Sequence, residues 1–99
     1  MPDERLARAL RARVRRKILE ELVRSGPLCV SEIAKRVGIA EYTASKHLKL
    51  LNDLGIVDCK YEPPKKVYYI SIPEFGDLLK TYDVVARRLA NKLKIPYPR

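Results

Sequence analysis

The placement of Gly38, Gly55 and the pair Pro63-Pro64 does most to limit how this chain folds. Between residues 31 and 54 the apolar side chains recur at helical spacing, and Gly38 cuts that stretch in two. The first piece carries Ile33, Ala34 and Val37 on one face, enough for a helix of about two turns. Ser31 is placed to cap it. The second piece, residues 41–54, carries Ala44, Leu48, Leu51 and Leu54 on one face, and Gly55 closes it. Residues 56–61 and 66–72 alternate as strands do. Two adjacent prolines give no N–H to a ladder, so residues 62–65 form the exposed tip of a hairpin ended by Pro73.

Longer helical segments flank this centre. Leu6, Leu10, Val14, Ile18, Leu19, Leu22 and Val23 predict a helix over residues 3–24, capped by Asp3 and stopped at Gly26-Pro27. The basic run within residues 11–17 leaves open a break there. Leu28-Cys29-Val30 is a short β-prone run. Residues 74–93 predict a last helix, with Phe75, Leu78, Leu79, Tyr82, Val85, Ala86, Leu89 and Leu93 on one side; Pro96 and Pro98 end it. The expected class is α+β and mostly helical: a winged helix-turn-helix with long terminal helices and a small antiparallel β-wing. Residues 1–99 are enough for one modest core, so one domain is expected, with residues 73–94 as its C-terminal helix.

The charge points to a partner. Lys and Arg number 21 against 12 Asp and Glu, a net of +9, which favours a polyanion, nucleic acid first. The excess is uneven: residues 1–25 carry eight basic and four acidic side chains, while residues 26–58 carry four of each. No apolar run reaches the roughly 18–20 residues of a membrane span, and no leader is evident, so a cytoplasmic location is expected. Two cysteines, one histidine and no glycine-rich loop offer no nucleophile, base and orienting group together. Neither an enzyme nor a cofactor is expected.

Residues 30–57, "VSEIAKRVGIAEYTASKHLKLLNDLGIV", resemble the DNA-binding core of the ArsR-like transcriptional regulators. The strongest part is Thr43-Ala44-Ser45-Lys46-His47-Leu48-Lys49, with Leu51, Leu54, Gly55 and Val57. The hairpin with Val67-Tyr68-Tyr69 resembles the family's wing, and "ALRARVRRKILEEL" its preceding helix. The likeness spans roughly residues 9–72. It implies a double-stranded DNA-binding regulator, more often a repressor, working as a homodimer. This chain departs from the family at three places. Ala40 stands where relatives often have a serine cap. Cys29 matches the first of two metal-binding cysteines of the arsenic and cadmium sensors, but Ser31 replaces the second, and one soft ligand holds a thiophilic ion poorly. The basic run at residues 13–17 replaces a more neutral stretch.

In the helix from residue 41, Tyr42, Thr43, Ser45 and Lys46 face outward near its start, where side chains reach base edges in the major groove. Lys49, a turn later, is expected at backbone phosphates. Lys65 and Lys66 at the wing tip are either phosphate contacts or plain solubilising charges. His47 is a base contact, a phosphate contact or a spacer; the sequence leaves these open. Leu78, Tyr82, Val85 and Leu89 fall at seam spacing, and with Leu6 and Leu10 they are the expected dimer interface. No metal site is assigned: Asp77 and Asp83 have no histidine beside them. In the family the short strand pairs with the second wing strand. That puts a strand between Cys29 and Cys59, about 9–10 Å at ordinary spacing and beyond disulfide reach. Two rivals remain: an architectural DNA binder with little sequence preference, and a winged-helix protein-interaction module.

Overall fold

A computed structural model describes residues 1–97. Its elements are α1 (Pro2–Arg11), α2 (Arg13–Ser25), β1 (Leu28–Cys29), α3 (Val30–Val37), α4 (Glu41–Asp53), β2 (Asp58–Glu62), β3 (Lys65–Tyr69) and α5 (Phe75–Leu93). The tail ending expected at Pro98 lies outside the described residues.

The N-terminal segment is two helices. At Ala12 the backbone is extended (φ −90°, ψ 131°). Two side chains of the basic run hold this break. In one continuous helix its cations would stack on adjacent turns. At the corner, Arg15 instead donates to the carbonyls of Arg8 (2.7 Å) and Ala9 (3.3 Å), and Arg16 to those of Leu10 and Arg11. These are the last carbonyls of α1, which have no partner inside the helix. Capping also differs from expectation, in α1 and at the start of the motif. Asp3 lies inside the first turn of α1, whose N-cap is Met1. The N-cap of α3 is Cys29, so Ser31 is already helical. The backbone N–H of Cys29 donates to Glu32 Oε1 at 3.1 Å, so the residue three along satisfies the cap. That bond is the main cause holding the Glu32 carboxyl below its ordinary range.

Gly38 ends α3 in the left-handed region (φ 80°), its N–H bonded to the Ala34 carbonyl at 2.8 Å. A side chain there would strain the turn that sets α3 against α4. Beyond that turn, α4 buries Ala44, Leu48 and Leu51 completely. Its leucines meet Ile18, Leu19 and Leu22 of α2, Ile33 of α3, Val57, Tyr68, and Phe75 and Leu79 of α5 in a continuous core.

The sheet is antiparallel in the order β1-β3-β2. Cys29 pairs with Val67 and Cys59 with Tyr68, so β3 runs between the two cysteines as the family pattern implied. Both strands of the wing are shorter than their alternation suggested. Ile56 and Val57 are core residues before β2 begins, and residues 70–72 lie beyond β3. Glu62 and Lys65 are themselves paired, so the tip is the two-residue turn Pro63-Pro64, with a cis peptide bond. Tyr68 is buried and Tyr69 half-buried, on opposite faces.

Candidate nucleic-acid interface

The outer surface of α4 is defined by what its inner surface buries. With Ala44, Leu48 and Leu51 turned inward, Tyr42, Ser45, Lys46 and Lys49 are exposed. Thr43, expected to face outward with them, is half-buried, as is His47. His47 lies on the flank of α4 that the charge of Arg15, from the α1–α2 corner, reaches. Tyr42 is 74% exposed, and Lys46 Nζ lies 5.3 Å above its ring. The pair is one turn apart, so the cation and the ring extend together from the first turn and a half. Ala40 is the N-cap and supplies no side-chain bond, leaving the first amides of α4 open to an anion.

His47 is held below its ordinary pKa of 6.5, first by burial and then by the charges of Arg15 and Lys46. It is therefore neutral near pH 7, with one ring nitrogen able to accept. Arg15 belongs to α2, and its closeness to His47 is not legible in the sequence; only the unbroken basic run hints at it.

The wing adds a second basic surface. Lys65 and Lys66 are exposed on β3 next to the proline turn. Lys66 Nζ lies 5.5 Å from the Tyr68 ring and Lys60 Nζ 5.5 Å from the Tyr69 ring, so two aromatic faces carry cations outward. Tyr61, 68% exposed on β2, is a further projecting ring that the strand alternation does not single out. Asn52 Nδ2 reaches Cys59 Sγ at 4.0 Å and ties the end of α4 to the wing.

The expected dimer residues divide. Leu6, Leu10 and Leu78 are half-buried and packed on their own core. Tyr82, Val85 and Leu89 are exposed, at 37%, 57% and 54%. Arg16 stacks over the Tyr82 ring at 5.0 Å. Among the described residues, no three His, Cys, Asp or Glu side chains converge as metal ligands. A groove of about 830 Å³ lies between α2 and α5, lined mainly by Arg and Lys side chains with Glu20, Asp83 and a few apolar residues.

Two short helices meeting at a glycine turn, the second exposing polar and basic side chains beside a basic hairpin, define a winged helix-turn-helix, an architecture common among DNA-binding proteins. Comparison with known proteins gives the family. Residues 13–58 match the model of the bacterial regulatory proteins of the arsR family. A cadmium resistance transcriptional regulatory protein CadC homolog from Staphylococcus aureus is 37% identical over 74 residues, covering 75% of this chain and 60% of that protein. The homodimeric winged helix-turn-helix domain (fragment 1–100) of a possible ArsR-family transcriptional regulator from Mycobacterium bovis superposes with a TM-score of 0.76. It is 30% identical, over 87% of this chain and 79% of that one. The transcriptional repressor BigR from Xylella fastidiosa shares the fold, with a TM-score of 0.75 at 24% identity over 84% of each chain. The chain belongs to the ArsR family. It spans 60% or less of the length of the curated relatives it matches.

Proposed function

We propose that this protein is a sequence-specific, double-stranded DNA-binding transcriptional regulator that acts as a homodimer, with repression as its direction. The observation that carries this reading is the split surface of α4: its buried face is fully used by the core, while Tyr42, Ser45, Lys46 and Lys49 project beside a basic wing. Tyr42, Thr43, Ser45 and Lys46 read bases. Lys49, Lys65 and Lys66 hold phosphates. The S. aureus relative, a cadmium resistance transcriptional regulatory protein homolog, supports the regulatory role, and an antimony-specific transcriptional repressor, 27% identical at a TM-score of 0.73, supports the direction. The homodimeric M. bovis domain supports the dimer. The protein needs no catalytic group for this role, and regulation of transcription in a bacterial family implies a cytoplasmic site of action. Among the described residues no helix is long and apolar enough to cross a membrane.

The test is selection of bound sequences from random duplex, then binding to the selected operator and to random DNA at several salt concentrations. An inverted repeat is expected. Ser45→Ala and Lys46→Ala each cost about 1–3 kcal/mol per half-site on the operator and little on random DNA. Lys65→Ala/Lys66→Ala weakens both DNAs alike and lowers the salt dependence by about 0.9 for each phosphate no longer neutralised. If the α4 changes weaken both DNAs equally, the architectural reading replaces this one. If none of the changes affects either DNA, the domain binds protein instead.

A further inference from the structure

The basic run at residues 11–17 belongs to neither the recognition helix nor the wing, yet the fold brings it beside α4. Arg5 Nη1 donates to the Asp53 carbonyl at 3.0 Å, fastening the start of α1 to the C-terminal end of α4. The ten helical residues of α1, about 15 Å in all, then carry the chain to its turn at Ala12. Past the turn, Arg15 stands where its charge bears on His47, midway along α4. The bond from Arg15 to the Arg8 carbonyl holds the two sides of the corner together. Arg8 and Arg11 are exposed and Arg15 half-buried, and the charges of Arg8 and Arg11 both bear on Arg15. Among the described residues, none of the three has a carboxylate partner.

The corner and the wing take opposite flanks of the same helix. Asn52 marks the wing flank through Cys59, and His47 marks the corner flank. Five residues apart at 3.6 per turn, these positions lie about 140° apart around α4. The narrower arc between them holds the buried Ala44, Leu48 and Leu51. The wider arc holds Tyr42, Thr43, Ser45 and Lys46, proposed to read bases, and Lys49, proposed to hold a phosphate.

We propose that Arg8, Arg11 and Arg15 form a second phosphate-binding surface, which meets the DNA backbone on the side of the recognition helix opposite the wing. The inference rests on the DNA-binding reading above and extends it. Guanidinium groups gathered with no carboxylate paired to them repel one another, and a row of phosphodiesters relieves that repulsion. Arginine matches the phosphate geometry with paired N–H donors. Such contacts carry no base information, so this surface adds affinity and salt dependence but no sequence preference.

The full chain carrying Arg8→Gln/Arg11→Gln tests this, with Arg15 left in place because it caps α1. Binding to the selected operator and to random duplex is measured from 50 to 200 mM salt. The slope of log affinity against log salt is expected to fall by about 0.9 for each phosphate no longer neutralised, up to about 3.6 for a dimer. Both DNAs should weaken by the same factor. Arg8→Lys/Arg11→Lys, which keeps the charge, should retain most of the slope. Arg11→Gln alone should show about half the effect, and serves if the double change does not fold. Wild-type slopes in both Gln variants, with Lys65→Ala/Lys66→Ala still lowering the slope, would leave DNA binding intact and overturn the corner's role. A changed operator-to-random ratio, or a Gln variant that sediments as a monomer, would also overturn it. If the wild-type chain binds no duplex, both readings fall.

Discussion

His47 is the residue whose role the fold narrows most. From the sequence alone a base contact, a phosphate contact and a spacer stand level. In the folded chain burial lowers its pKa most, and the charges of Arg15 from α2 and Lys46 on its own helix lower it further. In the unfolded chain the group titrates near 6.5. Between that value and the lower folded one, the unfolded chain binds more protons. Folding stability contributed by His47 is therefore complete above pH 6.5 and falls as pH drops through the folded pKa. His47→Gln should flatten that part of the stability profile in denaturant titrations between pH 7.5 and 5. A phosphate beside the ring reverses the preference, because it favours the imidazolium. Duplex affinity at fixed salt should then rise as pH falls from 7.5 to 6.0, by at most about tenfold per pH unit for each proton taken up. The same rise in His47→Gln would make the residue a spacer.

At the scale of elements, most of the motif is legible because its signals are local. Gly38, Gly55 and Pro63-Pro64 set the turns, and the period of the apolar side chains sets the helices between them. The cap of α3 escapes that reading: Ser31 is the better capping side chain by type, yet Glu32 satisfies the cap from inside the helix. The break at Ala12 stays open in the sequence because bonds from Arg15 and Arg16 to carbonyls five to seven residues back decide it. Local periodicity carries no trace of those. The side chains of α4 are legible as an outward face, but their flanks are not, since those depend on where α1 and the wing are packed. The start of α4 offers a direct test. Ala40 has extended backbone angles (φ −66°, ψ 148°) and no capping side chain. Ala40→Ser supplies an oxygen to the open amides and should raise stability by about 1 kcal/mol, a gain of several degrees in thermal unfolding. Unchanged stability would mean that water already satisfies those amides as well as a hydroxyl does.

For the whole molecule, one protomer leaves a long apolar stripe uncovered. The chain measures 48 × 30 × 20 Å, and α5 extends past the core that covers its first turns. Phe75 and Leu79 are buried, whereas Val85, Leu89 and Leu93 are 54–57% exposed. Together with Leu78 and Tyr82, Val85 and Leu89 follow the seam spacing of a helix that packs on another helix. Leu6 and Leu10 are partly used by the protomer's own core, so the second half of α5 is left as the main uncovered stripe. A second copy of the chain meeting it about a two-fold axis buries each position twice. Each side chain is already about half covered in its own protomer, so Val85→Asp/Leu89→Asp should cost the dimer roughly 1.5–3 kcal/mol at each position by loss of apolar burial alone. That is at least about tenfold in dissociation constant for each. Sedimentation at tens of micromolar should show the variant at half the wild-type mass. Near-ultraviolet and thermal measurements should remain close to a folded protomer, because neither side chain belongs to the core. Operator affinity should collapse toward that of a single half-site, while the salt slope per protomer persists. A variant that still sediments as a dimer, or a wild-type chain that is a monomer at this concentration, would remove α5 as the seam.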